Sequence, residues 1–181
     1  MNKFVMPGDK LSYAEEYITG EGVYEENGVL FAAVAGKVVI EEKIIKIVPV
    51  KEIPKISKGD VVLGKIVDVR NSIALVEIVR KKGFDRDLAH TGLAALHISN
   101  VQNDYIKDLS TAVRYMDIIK ARVIDENKLT LSTKEADMGV LKSICSVCKS
   151  PMIREGDLLK CPNCGNVETR KISKDYGTGK W

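Results

Sequence analysis

Lys58-Gly59-Asp60-Val61-Val62-Leu63-Gly64-Lys65-Ile66-Val67-Asp68-Val69 reads as a strand, and Ile73-Ala74-Leu75-Val76-Glu77-Ile78-Val79 follows it after a short break. A charged loop comes next, then Gly92-Leu93-Ala94-Ala95-Leu96-His97-Ile98-Ser99, and two closing runs at residues 118–124 and 129–132. Five short β-runs with the longest connection between the third and fourth predict a small closed barrel of the OB type over residues 57–136. In that connection, Tyr105, Ile106, Leu109, Val113 and Met116 recur at three- and four-residue steps, which predicts a short helix within residues 103–116. Gly59 to Lys65 also satisfies the start of a GxxxxGK phosphate loop. Ile66, however, stands where a magnesium-binding Ser or Thr belongs, and the apolar residues between favour a strand.

Upstream, residues 1–56 read as a separate N-terminal β-sandwich or barrel domain. Asn27-Gly28 separates two apolar runs and suits a two-residue hairpin turn. A second hairpin is expected across Glu41-Glu42, and Pro7-Gly8-Asp9 makes a further turn. A unit of this size buries little surface alone, so it is expected to pack on a neighbour or partner. Pro49 and Pro54 bracket a linker at residues 50–57, because neither fits a central strand.

Downstream, Cys145-Ser146-Val147-Cys148 and Cys161-Pro162-Asn163-Cys164-Gly165 place two CxxC pairs twelve residues apart. Each pair turns both sulfurs toward one point, and four thiolates complete a closed tetrahedral zinc shell with no open position for catalysis. Residues 140–175 therefore read as a zinc ribbon holding one structural Zn2+. Two disulfides would need an oxidising compartment, a redox CxxC would open a helix in a βαβ context, and an iron–sulfur cluster is the remaining competitor. Residues 133–140 are left as a turn of helix or a tether, and the glycine-bearing tail from Ser173 to Trp181 reads as poorly ordered.

The 181 residues carry a net charge of +3, divided as −2 over residues 1–56, +2 over 57–136 and +3 over 137–181. No apolar run approaches the roughly 20 residues that span a bilayer, and the N-terminus lacks the apolar core of a secretory signal. A soluble, cytoplasmic protein is expected, with no membrane partner. His90 and His97 lie in no nucleophile motif, no DxD or HExxH occurs, and the carboxylates are interleaved with lysines. Nothing in the sequence argues for an enzyme.

OB barrels bind single-stranded nucleic acid with stacking aromatics and basic side chains. The candidates are Arg80, Lys81, Lys82, Phe84 and Arg86 in the charged loop, Lys120 and Arg122 on one face of the fourth strand, and His97. His97 could equally sit in the core, and Tyr105 and Tyr115 are expected to pack against the barrel end.

Several segments resemble an S1-type RNA-binding domain: 58–66, Gly92-Leu93 leading to Leu96-His97-Ile98-Ser99-Asn100-Val101, Ala121-Arg122-Val123-Ile124, and Leu129-Thr130-Leu131-Ser132-Thr133-Lys134. With the opening Val5-Met6-Pro7-Gly8-Asp9-Lys10-Leu11, Gly20-Glu21-Gly22-Val23-Tyr24 and the terminal ribbon, the whole chain is similar to the archaeal exosome's RNA-binding cap subunits of the CSL type. The resemblance implies a non-catalytic subunit whose N-terminal β-domain docks on a hexameric ring of RNase PH-like subunits. The barrels of a trimeric cap would guide RNA into that ring for phosphorolytic 3′-to-5′ degradation, and a DnaG-like primase protein would be a further partner. One departure stands out, since S1-type domains carry aromatics on the second strand and this chain has none there. An accessory factor of transcription or translation, also built from barrel and ribbon, is the competing reading, and a nuclease in its own right is a third.

Overall fold

The computed structural model describes residues 3–50, 54–88 and 92–181. The centre of the expected 50–57 linker and His90 lie outside them. The chain forms two compact units, Met1–Ile53 and Pro54–Trp181.

The first unit is two facing sheets. Strands β1 (Phe4–Val5), β6 (Gly36–Glu41), β7 (Ile44–Pro49) and β3 (Ile18–Thr19) lie in the order β1-β6-β7-β3. Strands β2 (Lys10–Tyr13), β5 (Val29–Ala32) and β4 (Val23–Glu26) lie in the order β2-β5-β4. Alternate residues of both sheets point inward, and Val5, Leu30, Ala32, Val38, Ile45 and Ile47 form the core. The β4–β5 turn falls on Asn27 and Gly28 as expected, both at positive φ (52° and 74°).

The β6–β7 turn lies one residue beyond its expected place. Glu41 pairs with Ile44, so Glu42 and Lys43 carry the turn, at φ 46° and 69°. Neither is a residue that tolerates the left-handed region well. Replacing them with Asn-Gly should raise the unfolding free energy of this unit by about 1 kcal/mol. Denaturant melts of the double variant check this, and an unchanged or lowered midpoint would contradict the assigned turn.

The second unit opens with the barrel: β8 (Val61–Val69), β9 (Ile73–Lys81), β10 (Leu93–His97), β11 (Ile118–Asp125) and β12 (Thr130–Ser132). The ladder runs β12-β10-β9-β8-β11, and β12 also pairs with β11, which closes the barrel. β10 and β12 run parallel, while the other pairs are antiparallel. Inward residues such as Val62, Ile66, Val76, Leu96, Ile119 and Leu131 fill the interior. Gly64 is one of these inward positions, and a Cβ there would lie 2.5 Å from Val76 Cγ1. It serves close strand packing inside β8, which removes the phosphate-loop reading.

Among the described residues the 103–116 segment holds no α-helix. It is irregular, with a single 3-10 turn at Leu109–Thr111; another, at Ile98–Asn100, precedes it. Leu109 and Val113 are buried as the periodicity requires, but Asp108 accepts the Ser110 amide and the Thr111 hydroxyl donates to the Asp108 carbonyl. Such side-chain bonds satisfy the backbone locally and compete with helix.

Beyond the barrel, residues 133–138 form a tether with one turn, and β13 (Gly139–Lys142) then pairs with the start of β11. The ribbon follows as β14 (Ile153–Glu155), β15 (Leu158–Lys160) and β16 (Val167–Glu168). The chain then returns to the barrel, where Ile172 bridges Val140 in parallel. Gly139 (φ 128°) permits this approach, since a Cβ would lie 2.3 Å from the Lys171 carbonyl oxygen. The tail is tied down rather than loose. Gly177 donates its amide to the Leu141 carbonyl, and the Tyr176 hydroxyl donates to the Met152 carbonyl.

Candidate metal centre and nucleic-acid face

Cys145, Cys148, Cys161 and Cys164 sit on two knuckles of matching design. In each, the amide of the residue after the second cysteine donates to the carbonyl of the first: Lys149 to Cys145, and Gly165 to Cys161. Lys149 and Gly165 both adopt positive φ (62° and 75°), which is what lets the chain turn back over the sulfurs. The four sulfurs lie within 4.8 Å of one another, with Cys145–Cys164 at 3.6 Å and Cys148–Cys161 at 3.3 Å. A tetrahedral ion with metal–sulfur bonds of about 2.3 Å needs sulfurs about 3.8 Å apart, so the four cysteines fit a bound metal ion. Hydrogen bonds from the Ser150 hydroxyl and amide and from the Cys161 thiol pull Cys148 down to about 5. Asn166 adds a bond to the Cys145 sulfur at 3.6 Å. Thiolates this close repel each other unless a cation stands between them.

The cysteine cluster is joined to the barrel by a buried ionic network. Arg170 donates through Nε to Asp117 (2.8 Å) and through NH2 to Glu168 (2.6 Å), and none of the three is open to solvent. Asp117 lies just ahead of β11, and it also accepts the Ser143 hydroxyl (2.6 Å) and the Arg114 amide (2.8 Å). Glu168, on β16, accepts the amide and hydroxyl of Ser146, the Asn166 side chain and the Arg114 guanidinium. Burial raises the Glu168 carboxyl, but the Ser146 and Arg170 bonds outweigh it and hold the group down to about 2. Burial raises Asp117 against the pull of Arg170. Sequence reasoning missed this network, because Glu168 and Arg170 alternate with exposed residues and look like surface charges; their two-residue spacing in a run expected to be extended was the clue.

The basic residues expected to face RNA divide into two groups. Arg80 is tied to Asp87 at 2.7 Å, and Lys81 to Asp60 at 2.7 Å and to the Lys55 carbonyl, with its ammonium 5.5 Å from the Phe84 ring. Arg122 chelates Glu135 with bonds of 2.5 and 2.8 Å and donates to the Gly59 carbonyl. Lys82 and Arg86 are exposed at the loop tip, with no ion pair among the described residues.

Lys120 requires a correction. The strand alternation holds, but β13 and the tail cover its outer face, leaving the side chain 3% exposed between Asp137 (3.1 Å) and Asp175 (2.8 Å). It is a buried structural cation and cannot meet a phosphate. His97 is exposed at the end of β10, its Nδ1 accepting the Ser99 amide. Tyr105 and Tyr115 do not pack on the barrel end as expected: they are 91% and 63% exposed. The outward positions of β9 and β10 are otherwise aliphatic or acidic, with Ile73 opposite His97, Leu75 opposite Ala95 and Glu77 opposite Leu93.

Comparison with known proteins bears on this arrangement. Residues 53–174 match the family described as "Exosome component EXOSC1/CSL4", and residues 4–41 match "Exosome complex exonuclease RRP4 N-terminal region". The chain is 60% identical over 179 residues to the "Exosome complex component Csl4" of Archaeoglobus fulgidus, covering 99% of each chain. It is 33% identical over 140 residues to the "Exosome complex component Rrp4" of Methanobrevibacter smithii, covering 75% of this chain and 43% of that one.

Proposed function

Because the chain belongs to the exosome's Csl4 family, we propose that it is the cap subunit that holds RNA beside a phosphorolytic, RNase PH-like ring and guides the 3′ end inward. As a member of that family it is an exosome component and not the nuclease. The full-length 60% identity to an archaeal Csl4 carries the reading. In it, the N-terminal sandwich docks on the ring, three copies of cap subunits surround the entry, and a DnaG-like primase protein joins from outside. The sandwich leaves Phe4, Met6, Ile18 and Val48 exposed, which suits a docking unit.

The metal is zinc on this reading. Four thiolates and no oxygen donor select a soft or borderline ion, and a closed shell leaves it a structural part. RNA contact falls to Lys82, Arg86 and His97, with Arg80, Lys81, Phe84 and Arg122 contributing through the outer edges of side chains already partnered. With no aromatic on β9, attraction is mainly to phosphate, and it weakens steeply with salt.

Size-exclusion chromatography tests the assembly. Mixed with the ring subunits, the chain should co-elute and raise the RNA retained by the ring, and the gain should vanish as salt is raised. A chain that elutes as a monomer beside the ring would overturn the reading.

A further inference from the structure

A cleft of about 530 Å³ opens where the barrel meets the first cysteine knuckle. Its floor is Val69 at the end of β8, Met116 and Ile144, and its rim carries Arg114, Tyr115 and Lys149. The volume lies in the range that takes a drug- or nucleotide-sized group. Among the described residues the Tyr115 ring has no ring partner, and it stands 63% exposed at the rim. Met116 beside it holds φ 72°, a conformation that non-glycine residues adopt at a cost and that clusters at binding sites.

The lining of the cleft carries cations and no carboxylate. Nearby Asp117 and Glu168 are buried, and every oxygen is already hydrogen-bonded. Exposed Asp108, which accepts the Ser110 amide, lies within electrostatic reach of Arg114. The Arg114 side chain remains 39% exposed after giving one nitrogen to Glu168 and Nε to the Ser110 carbonyl. Lys149 is exposed and, among the described residues, its ammonium is bonded only to the Ser146 carbonyl. An incoming group therefore meets an apolar floor, a flat aromatic and two cations, with no acid in the lining. This is the set that a stacked base with its phosphate needs.

The cleft and the nucleic-acid face are both fastened to β8. Ile98, next to His97, donates its amide to the Ser72 carbonyl in the turn after β8, and Met116 donates its own to Ile66 within β8. Strands β9 and β10 present no aromatic themselves, and Tyr115 offers an exposed one.

We propose that this cleft binds one nucleotide of single-stranded RNA, with Tyr115 stacking on the base and Arg114 and Lys149 meeting the phosphate. The assignment rests on the RNA-holding role given above and adds a site to it. Titrating the full chain into labelled single-stranded oligoadenylate at low salt tests it. Tyr115→Ala should weaken binding about tenfold. Lys149→Gln should weaken it less and lower the slope of log affinity against log salt by about one. Tyr105→Ala, at an exposed tyrosine outside the cleft, should change nothing.

Wild-type affinity that survives Tyr115→Ala but fails in Lys82→Ala/Arg86→Ala would overturn the cleft and leave the RNA-holding role standing. A wild-type chain that retains no oligoadenylate would remove both. A 19F resonance from 3-fluorotyrosine at position 115 gives an independent view. If it shifts with a glutamate-rich aromatic peptide and not with oligoadenylate, the cleft is a protein-docking site and the proposal is wrong.

Discussion

Arg170→Ala should lower the unfolding free energy of the barrel–ribbon unit by about 3–5 kcal/mol, the usual loss when one partner of a buried ion pair is removed. The guanidinium holds Asp117 of the barrel and Glu168 of the ribbon at once, and both carboxylates stay buried when it leaves. The loss comes from those stranded charges more than from missing attraction, because the intact network had already offset its own desolvation. A pH series separates this from a packing defect. In the wild type, Glu168 sits at about 2, below its ordinary 4.5, so its contribution is fully present above about 4.5 and fades as pH falls toward 2. In the variant, Asp117 loses its cation and Glu168 keeps only Arg114; burial then raises Asp117 further, and its protonation becomes a relief. The stability gap between wild type and Arg170→Ala should therefore narrow as pH falls, in urea melts, because the raised Asp117 carboxyl of the variant takes up its proton first. A gap that stays constant would mean that the charges are solvated in the variant and that the network matters less than its geometry implies.

Cys161→Ser should abolish stoichiometric metal and release the ribbon. Cys161 is buried, and it faces Cys148 at 3.3 Å. A serine oxygen neither ionises at neutral pH nor reaches a zinc-sized ion as a thiolate does. The ribbon's apolar core is Met152 and Leu159 beside the cysteines, with Ile172 and Tyr176 half-buried against them, too little to fold it alone. Elemental analysis should fall from one ion per chain to none, and hydrogen exchange should accelerate across residues 145–172. The effect should spread further, since Arg170 belongs to the released segment and Asp117 waits for it in the barrel. One retained ion per chain, with protection intact, would refute a four-cysteine site.

The sequence read differently in different regions because the forces acting there differ in range. The barrel strands were legible because inward and outward residues alternate, and the knuckles because ligand spacing is a local constraint; β4–β5 was announced by Asn27-Gly28. Elsewhere long-range contacts decided. Lys120 obeys the alternation that made it look like a surface cation, yet residues 137–142 and Asp175 close over it. The 103–116 apolar spacing is real, but Asp108 diverts the backbone into a single turn. The β6–β7 turn moved by one residue because neither Glu42 nor Lys43 carries a turn signature. Tyr115 gave no sign that it would stand free, since an aromatic at a helical spacing usually packs.

Lys120 and Asp117 also impose an order on how the chain becomes itself during synthesis. All five barrel strands have left the ribosome by Ser132, so their hydrogen-bonded circuit can close early. The partners that complete these two ionic sites arrive much later: Arg170 lies 53 residues after Asp117, and Asp175, which joins Asp137 on Lys120, lies 55 after Lys120. Until then a nascent barrel carries a carboxylate without its cation and an ammonium without its full cover. The last dozen residues act as a completion signal, and a chain cut short before them is electrically unfinished, however well its strands are paired.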